Sequence, residues 1–287
     1  MGRPGRGVAQ RSHRHPQSGR STGKKVARSR SKSGTSGENR DISVPLAESV
    51  FTVGTPITQP HQFFGRQRIV KRLFNLFKTH PLQNAAIIGQ KRAGKTSLLN
   101  YLRTITTTPT ERLRPGQRNN WLPNPEIYRW IFVDFQDPRM AHRERLLGYL
   151  LEAMGLPVPI ACDLEQFMEQ ISEQIQQPTV VLMDEIGVGL QRCPELNDTF
   201  WDSLRSLANH YANGSLAFIL AASERPIDLA KHNDHSSPFF NIFGHTTTPG
   251  RTHPSLVCTY LINQPLKPEL HSALTLKNQA ILTTHPQ

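Results

Sequence analysis

The sequence predicts an α/β fold of three layers, with helices on both faces of a mostly parallel sheet of about five strands. Three observations carry this. A glycine loop, Gly89-Gln90-Lys91-Arg92-Ala93-Gly94-Lys95-Thr96, follows the apolar run Asn84 to Ile88 and precedes Ser97-Leu98-Leu99-Asn100-Tyr101-Leu102, whose leucines have helical spacing. A second apolar run, Thr179-Val180-Val181-Leu182-Met183-Asp184-Glu185, ends in two acids. Strand-length runs then alternate with one-sided helical patterns, as a sheet covered on both faces requires.

In chain order, residues 1–42 form a basic tail of Arg, Lys, Ser, Gly and His with too few apolar residues to bury a core, and disorder is expected there. Residues 1–40 hold 11 of the 34 Lys and Arg against one acid, Glu38, so they carry +10 of the net +12 and leave the rest nearly neutral. Such a tail suits RNA, DNA or anionic lipid through a sequence-independent, salt-sensitive attraction, or it is an uninvolved extension or an over-long start of the reading frame. Its Arg- and Ser-rich, acid-poor composition also resembles an organelle transit peptide. No apolar core follows it, so it does not read as a secretory signal.

The globular part is expected over residues 43–246. Ile69, Val70, Leu73, Leu76 and Phe77 mark one apolar helix face, ended before Pro81. Residues 106–125, rich in Thr, Pro, Asn and Arg, read as a loop, and Tyr128 to Phe135 as a strand with Asp134 and Asp137 at its far end. Helical patterning runs through Leu146, Leu147, Leu150 and Leu151, breaks at Gly155 to Pro159, and returns from Leu164 to Ile175. A further helix shows Phe200, Trp201, Leu204, Leu207, Ala208 and Tyr211 on one side, and Ser215 to Ala222 forms a fourth strand. No apolar run reaches membrane-spanning length. Cys162, Cys193 and Cys258 have neither metal nor disulfide spacing, which points to a reducing, cytoplasmic setting.

The glycine loop fits the phosphate-cradling pattern G-x-x-x-x-G-K-[ST] at every fixed position. Gly89 and Gly94 let backbone N–H groups approach phosphate oxygens, Lys95 reaches the β and γ phosphates, and the Thr96 hydroxyl ligates Mg²⁺. The acidic strand, taken as the one adjoining the glycine-loop strand, brings Asp184 to the same Mg²⁺, and Glu185 can polarise an attacking water as general base. Ser223 and Arg225 follow the fourth strand at the crevice end of the sheet, where Ser223 can sense the γ phosphate.

With these residues assembled, residues 61–246 resemble the AAA+ and STAND branch of phosphate-loop ATPases. Phe64-Gly65-Arg66 looks like the F-x-G-R box that contacts the nucleotide base, and Gly89 to Leu99 like the family's G-x-R-R-x-G-K-[ST]-S-L-L, with Lys91 in place of one Arg. Val180 to Glu185 resembles the Walker B strand, Leu216 to Ser223 the sensor strand, and residues 236–246 the segment that supplies a short last strand. Beyond 246 the resemblance stops, and residues 247–287 read as an irregular or incomplete segment without a helical lid.

The resemblance implies Mg²⁺-ATP binding by Gly65, Arg66, Gly89, Gln90, Lys91, Arg92, Ala93, Gly94, Lys95, Thr96 and Ser97, with Asp184 and Thr96 on the metal. It implies slow hydrolysis involving Glu185, Lys95 and Ser223 that resets a nucleotide-dependent regulatory switch. An arginine finger from Arg192, Arg205 or Arg225, supplied in trans, would make activity depend on self-association. The alternatives are a nucleic-acid-associated ATPase anchored by the basic tail and a module that binds ATP without cleaving it.

Overall fold

The computed structural model describes residues 54–250, so the basic tail and residues 251–287 lie outside the described residues. Five strands, β1 (Ala85–Ile88), β2 (Arg129–Asp134), β3 (Thr179–Asp184), β4 (Leu216–Ala222) and β5 (His245–Thr247), form one all-parallel sheet. Their order is β2-β3-β4-β1-β5.

This order corrects one sequence expectation. The acidic strand β3 does not adjoin β1, because β4 lies between them. Parallel strands are joined by long crossovers, so position in the sheet follows burial rather than chain order. Every residue of β3 and β4 is buried, and these two strands take interior places. The part-exposed strands β2 and β5 form the edges.

Side-chain alternation along the strands separates two cores. Ala85, Ile87, Val180, Leu182, Ala217, Ile219 and Ala221 face one side. There they meet α1 (Gln67–Phe77), α2 (Lys95–Ile105) and the loop carrying Trp121 and Leu122. Ala86, Ile131, Val133, Val181, Met183, Phe218 and Leu220 face the other side. They meet α3 (Arg143–Met154), α4 (Leu164–Gln174), α5 (Ile186–Arg192), α6 (Asp198–Ser206) and α7 (Pro226–His232).

Local chemistry sets the helix ends. The Asp163 carboxylate accepts from the Gln166 amide at 2.9 Å and the Asn197 side chain from the Phe200 amide at 3.2 Å, each satisfying a first-turn N–H. Two helices escape sequence pattern. In α5, Gly187 and Gly189 weaken the helical signal, yet a Cβ on Gly189 would stand 2.8 Å from the Phe135 ring, so close packing requires glycine there. The seven-residue α7 is too short to show a period.

The helix through Trp201 departs from its expected face at its end. Leu207–Tyr211 winds as a π-turn, with the Ala212 amide donating to the Leu207 carbonyl at 2.9 Å. The wider turn carries Tyr211 into solvent, 53% exposed, and buries Ala212 instead.

Residues 235–243 dock on α6 and deliver β5 to the sheet. The Asp198 carboxylate accepts from His235 and from the amide and hydroxyl of Ser236, and the Ser237 hydroxyl bonds Asp202 at 2.6 Å. Burial pushes the Asp198 carboxyl up, but the Ser236 and His235 bonds outweigh it and hold the pKa at about 2. Phe239 then inserts among Trp201, Phe218, Phe240 and Phe243 with ring centroids 5.2 to 5.4 Å away. The short last strand expected within 236–246 is His245–Thr247.

Phe239 is fully buried. Phe239→Ala is therefore expected to destabilise the domain by about 3–5 kcal/mol in urea denaturation. A loss below about 1 kcal/mol would show that the aromatic cluster does not anchor this segment.

Candidate functional site

The strand ends at the carboxyl edge of the sheet assemble the site. Gly89 to Gly94 links β1 to α2, with the Gly89 amide donating to the Ala222 carbonyl of β4 at 3.0 Å. Two cations hold this loop by its carbonyls. Lys95 Nζ donates to the Gly89 oxygen at 2.9 Å and to the Gln90 oxygen at 3.3 Å. Arg66 donates through Nη1 to the Gly94 oxygen at 3.0 Å and through Nη2 to the Ala93 oxygen at 2.8 Å.

A planar trans peptide points its N–H opposite to its C=O. Fixing the carbonyls of Gly89, Gln90, Ala93 and Gly94 on cations therefore turns the amides of Gln90, Lys91, Gly94 and Lys95 the other way. Among the described residues none of these amides donates to a backbone carbonyl, and they lie by the N-terminus of α2, where the helix dipole adds positive potential.

The glycines are needed for this shape. Gly94 has φ of +78°, and a Cβ there would stand 2.7 Å from Arg66 Nη1. A Cβ on Gly89 would lie 3.1 Å from that of Ala93. At Gly94 the left-handed backbone favours glycine, and a Cβ at Gly89 would crowd Ala93, so the cradle keeps its backbone open to a ligand.

Lys95 is only 7% exposed, and no carboxylate pairs with it among the described residues. A buried cation satisfied only by carbonyl oxygens is ready to accept an anionic partner. Arg66 is half-buried, and that burial lowers the pKa of its guanidinium from the ordinary value.

Asp184, at the end of β3, is 2% exposed. Burial pushes its pKa above the ordinary carboxylate value. The Thr96 hydroxyl hydrogen-bonds it and pulls the other way, Glu185 and Asp134 push further up by like-charge repulsion, and the Glu185 amide, donating to Oδ1 at 3.1 Å, pulls down. Register explains the Asp134 effect, since Asp134 and Asp184 are direct partners across β2 and β3.

Thr96 and Asp184 thus present a hydroxyl and a buried carboxylate together, the donor set that suits a hard divalent cation completed by phosphate oxygens and water. Among the described residues no group of three or more His, Cys, Asp or Glu could hold a metal by itself.

Glu185 follows directly, in left-handed backbone with φ of +53°. For a non-glycine residue this conformation costs roughly 1–2 kcal/mol, and it starts α5 immediately after the strand. Lys91, Lys95, Gln136, Glu185, Arg192 and Ser223 line one cleft of about 490 Å³, which is the size range of small-molecule sites. Because β4 separates β1 from β3, Ser223 follows the strand that runs between the glycine loop and the acids.

Other sequence candidates go elsewhere. Ser97 Oγ accepts from the Ile57 amide at 3.0 Å, which ties the incoming chain to α2. Gly65 lines a separate cleft beside α1. Gln90, Lys91 and Arg92 are exposed on the loop, and Ala93 is half-buried. Arg225 bonds Asp228 at 2.6 Å and is largely exposed, so of the three finger candidates Arg192 lines the cleft. Sequence pattern missed Gln136, which follows β2, and the clamp of Arg66 on loop carbonyls 27 and 28 residues away.

No protein-family model and no curated protein sequence matches the chain. Among solved structures it is similar to the Walker-type ATPase PABY2304 of Pyrococcus abyssi, with a TM-score of 0.50 and 17% identity, covering 79% of this chain and 67% of that one. It is also similar to the ADP form of the Aeropyrum pernix ORC2 protein, with a TM-score of 0.51 and 13% identity, covering 74% of this chain and 54% of that one. The chain therefore spans between about half and two thirds of these structures. At such identities the likeness shows the fold, the α/β fold of P-loop ATPases.

Asp184 yields a stability test. Its folded pKa lies above the ordinary 3.8, so the unfolded chain ionises first as pH rises, and stability is lost from about that pH up through the folded value. Asp184→Asn removes this loss. The ligand-free variant is expected to melt higher than wild type at neutral pH, with the gap closing as pH falls below the ordinary carboxylate range. Equal melting at neutral pH would show that the buried charge is already compensated.

Proposed function

We propose that this chain binds Mg²⁺-ATP in the Lys95 cleft and hydrolyses it slowly, with nucleotide occupancy biasing a conformational state. One observation carries the reading. A buried, carboxylate-free Lys95 inside a glycine cradle faces a cleft that also holds Lys91, Arg192 and Glu185.

On this reading the loop amides and Lys95 bind the β and γ phosphates, and Thr96 and Asp184 hold the metal. Mg²⁺ would supply charge neutralisation on the phosphate oxygens. Glu185 orients a water and takes its proton as the water oxygen bonds the γ phosphorus. The bond to the bridging oxygen breaks, and ADP leaves with that electron pair. Ser223 hydrogen-bonds the γ phosphate and reports its presence to β4.

Arg192 compensates charge on the transferred group from the same chain, because it lines the same cleft as Lys95. This replaces the need for an arginine in trans. Membership of the STAND branch, preference for adenine, a regulatory role and a cytoplasmic, reducing setting rest on the family resemblance of the residues. The free, buried Cys162 and Cys193 are consistent with that setting. Among the described residues no helix is long and apolar enough to cross a membrane.

The test is phosphate release under multiple turnover by the full chain with Mg²⁺-ATP. Lys95→Ala is expected to lose nucleotide binding, and Glu185→Gln to keep binding while turnover falls by about 10²-fold or more. Arg192→Ala should lower turnover with binding retained, at a rate per chain that stays constant on dilution. Wild-type binding without turnover would sink the hydrolysis, and turnover per chain that rises with protein concentration would return the arginine to a second copy.

A further inference from the structure

Two stretches of the described chain carry opposite charge. Residues 54–125, which supply α1, α2 and the loop packed beside them, hold 12 Lys and Arg against one acid, Glu111. Residues 126–250, which supply the opposite layer, hold 8 Lys and Arg against 17 Asp and Glu. The near-neutral balance of the chain beyond residue 40 hides a domain of +11 on one stretch and −9 on the other.

The basic layer leaves its cations facing solvent. On α1, Val70, Leu73, Phe74 and Phe77 point into the core, while Arg68, Lys71 and Arg72, at i, i+3 and i+4, share the outer face and are exposed. All five ion pairs among the described residues lie between positions 137 and 235, and Arg68, Lys71, Arg72, Arg112 and Arg118 enter none of them. A surface built only for solubility intersperses both signs, whereas a single-sign face concentrates polyanions.

Beside this face, Arg114 and Arg118 line a second cleft of about 230 Å³ between the start of α1 and the 114–121 loop. Gln67, Tyr101, Arg114, Gln117, Arg118 and Trp121 line it, and it shares no lining residue with the Lys95 cleft. Each of its arginines lies over an aromatic ring. Arg118 stacks 3.9 Å from the Trp121 ring centre and Arg114 4.4 Å from that of Phe64. Both guanidiniums act electrostatically on the buried Tyr101 hydroxyl. Stacked guanidiniums lose little freedom on binding and present several N–H donors in fixed directions, which suits phosphate.

We propose that the outer face of α1 and the 112–118 loop form a nucleic-acid-binding surface, with a phosphodiester backbone along Arg68, Lys71 and Arg72 and a phosphate in the Arg118 cleft. The outward cations from Arg68 to Lys78 run about 15 Å along the helix and its end, longer than one small anion. The opposite layer of a second copy is the competing partner, but helices α3 to α7 hold eight acids against five Lys and Arg, a net −3 spread over five helices. The described chain also enters over this layer, where Ile57 bonds Ser97 and Asn100 and the Pro60 carbonyl accepts from Gln117. This inference does not depend on the nucleotide reading of the Lys95 cleft.

The experiment is fluorescence anisotropy of the full chain, without nucleotide, with labelled single-stranded and duplex oligonucleotides over a series of KCl concentrations. Arg68, Lys71, Arg72, Arg112 and Arg118 are replaced together by Gln, and Arg145→Gln with Lys231→Gln serves as the opposite-layer control. The five-site variant is expected to bind at least about tenfold more weakly, with the log–log salt slope reduced by about 3 to 4, while the control matches wild type. Lys71→Glu with Arg72→Glu, both on the solvent face of α1, gives the same direction should the larger variant melt early.

Three results would overturn the proposal: no binding by the wild type, unchanged affinity and slope in both charge variants, or loss of self-association by mass photometry with oligonucleotide binding intact. The second would assign binding to residues outside the described domain, and the third would make the face a contact between copies.

Discussion

The site depends on two cations pulling a six-residue loop by its carbonyls. Arg66 reaches from the start of α1 and Lys95 curls back from the start of α2, and together they engage the oxygens of Gly89, Gln90, Ala93 and Gly94. Peptide planarity converts that grip into a set of amides turned outward. The glycines, the left-handed turn at Gly94 and the buried ammonium all follow from keeping that shape. An anion is the chemical partner the arrangement calls for, since every contribution at the loop mouth is a donor or a positive charge.

The opposite wall is built from negative groups, of which the buried Asp184 carboxylate is the costly one. Asp134, Asp184 and Glu185 stand on neighbouring strand ends, burial raises the Asp184 pKa, and Glu185 holds strained left-handed backbone. A buried carboxylate beside a hydroxyl gains its compensation from a cation, so stability and ligand chemistry oppose each other at this point. The buried strands β3 and β4 over-determine the geometry from both faces of the sheet and keep the strain in place. Charge on the outer layers follows a different logic, because nothing in the fold requires the charged positions on the outer face of α1 to be all cations.

Local features were legible in the sequence. The glycine loop, the flanking strand and helix, the acidic strand end and the loop at 106–125 each announce themselves within a few residues, and the structure places them as read. Features set by distant partners were not. β4 enters between β1 and β3 because burial, not chain order, decides strand position. Gly187 and Gly189 look like helix breakers until the Phe135 ring is seen against α5. One π-turn moves Tyr211 off the core face, and only the i+5 bond from Ala212 reveals it. Arg66 looked like a base contact in an F-x-G-R box, and its tie to loop carbonyls required knowing that α1 packs beside the loop. The cations at 68, 71 and 72 were countable in the chain, but they acquire meaning only when Val70, Leu73, Phe74 and Phe77 turn inward and leave them on the solvent face of α1.

The most direct measurement is amide hydrogen exchange across residues 89–96 of the full chain, with and without saturating Mg²⁺-ATP. If the loop presents its amides to phosphate, Gln90, Lys91, Gly94 and Lys95 become strongly protected with nucleotide, and Lys95→Ala abolishes the protection. Unchanged exchange in that loop, at nucleotide concentrations far above any cellular level, would contradict the account.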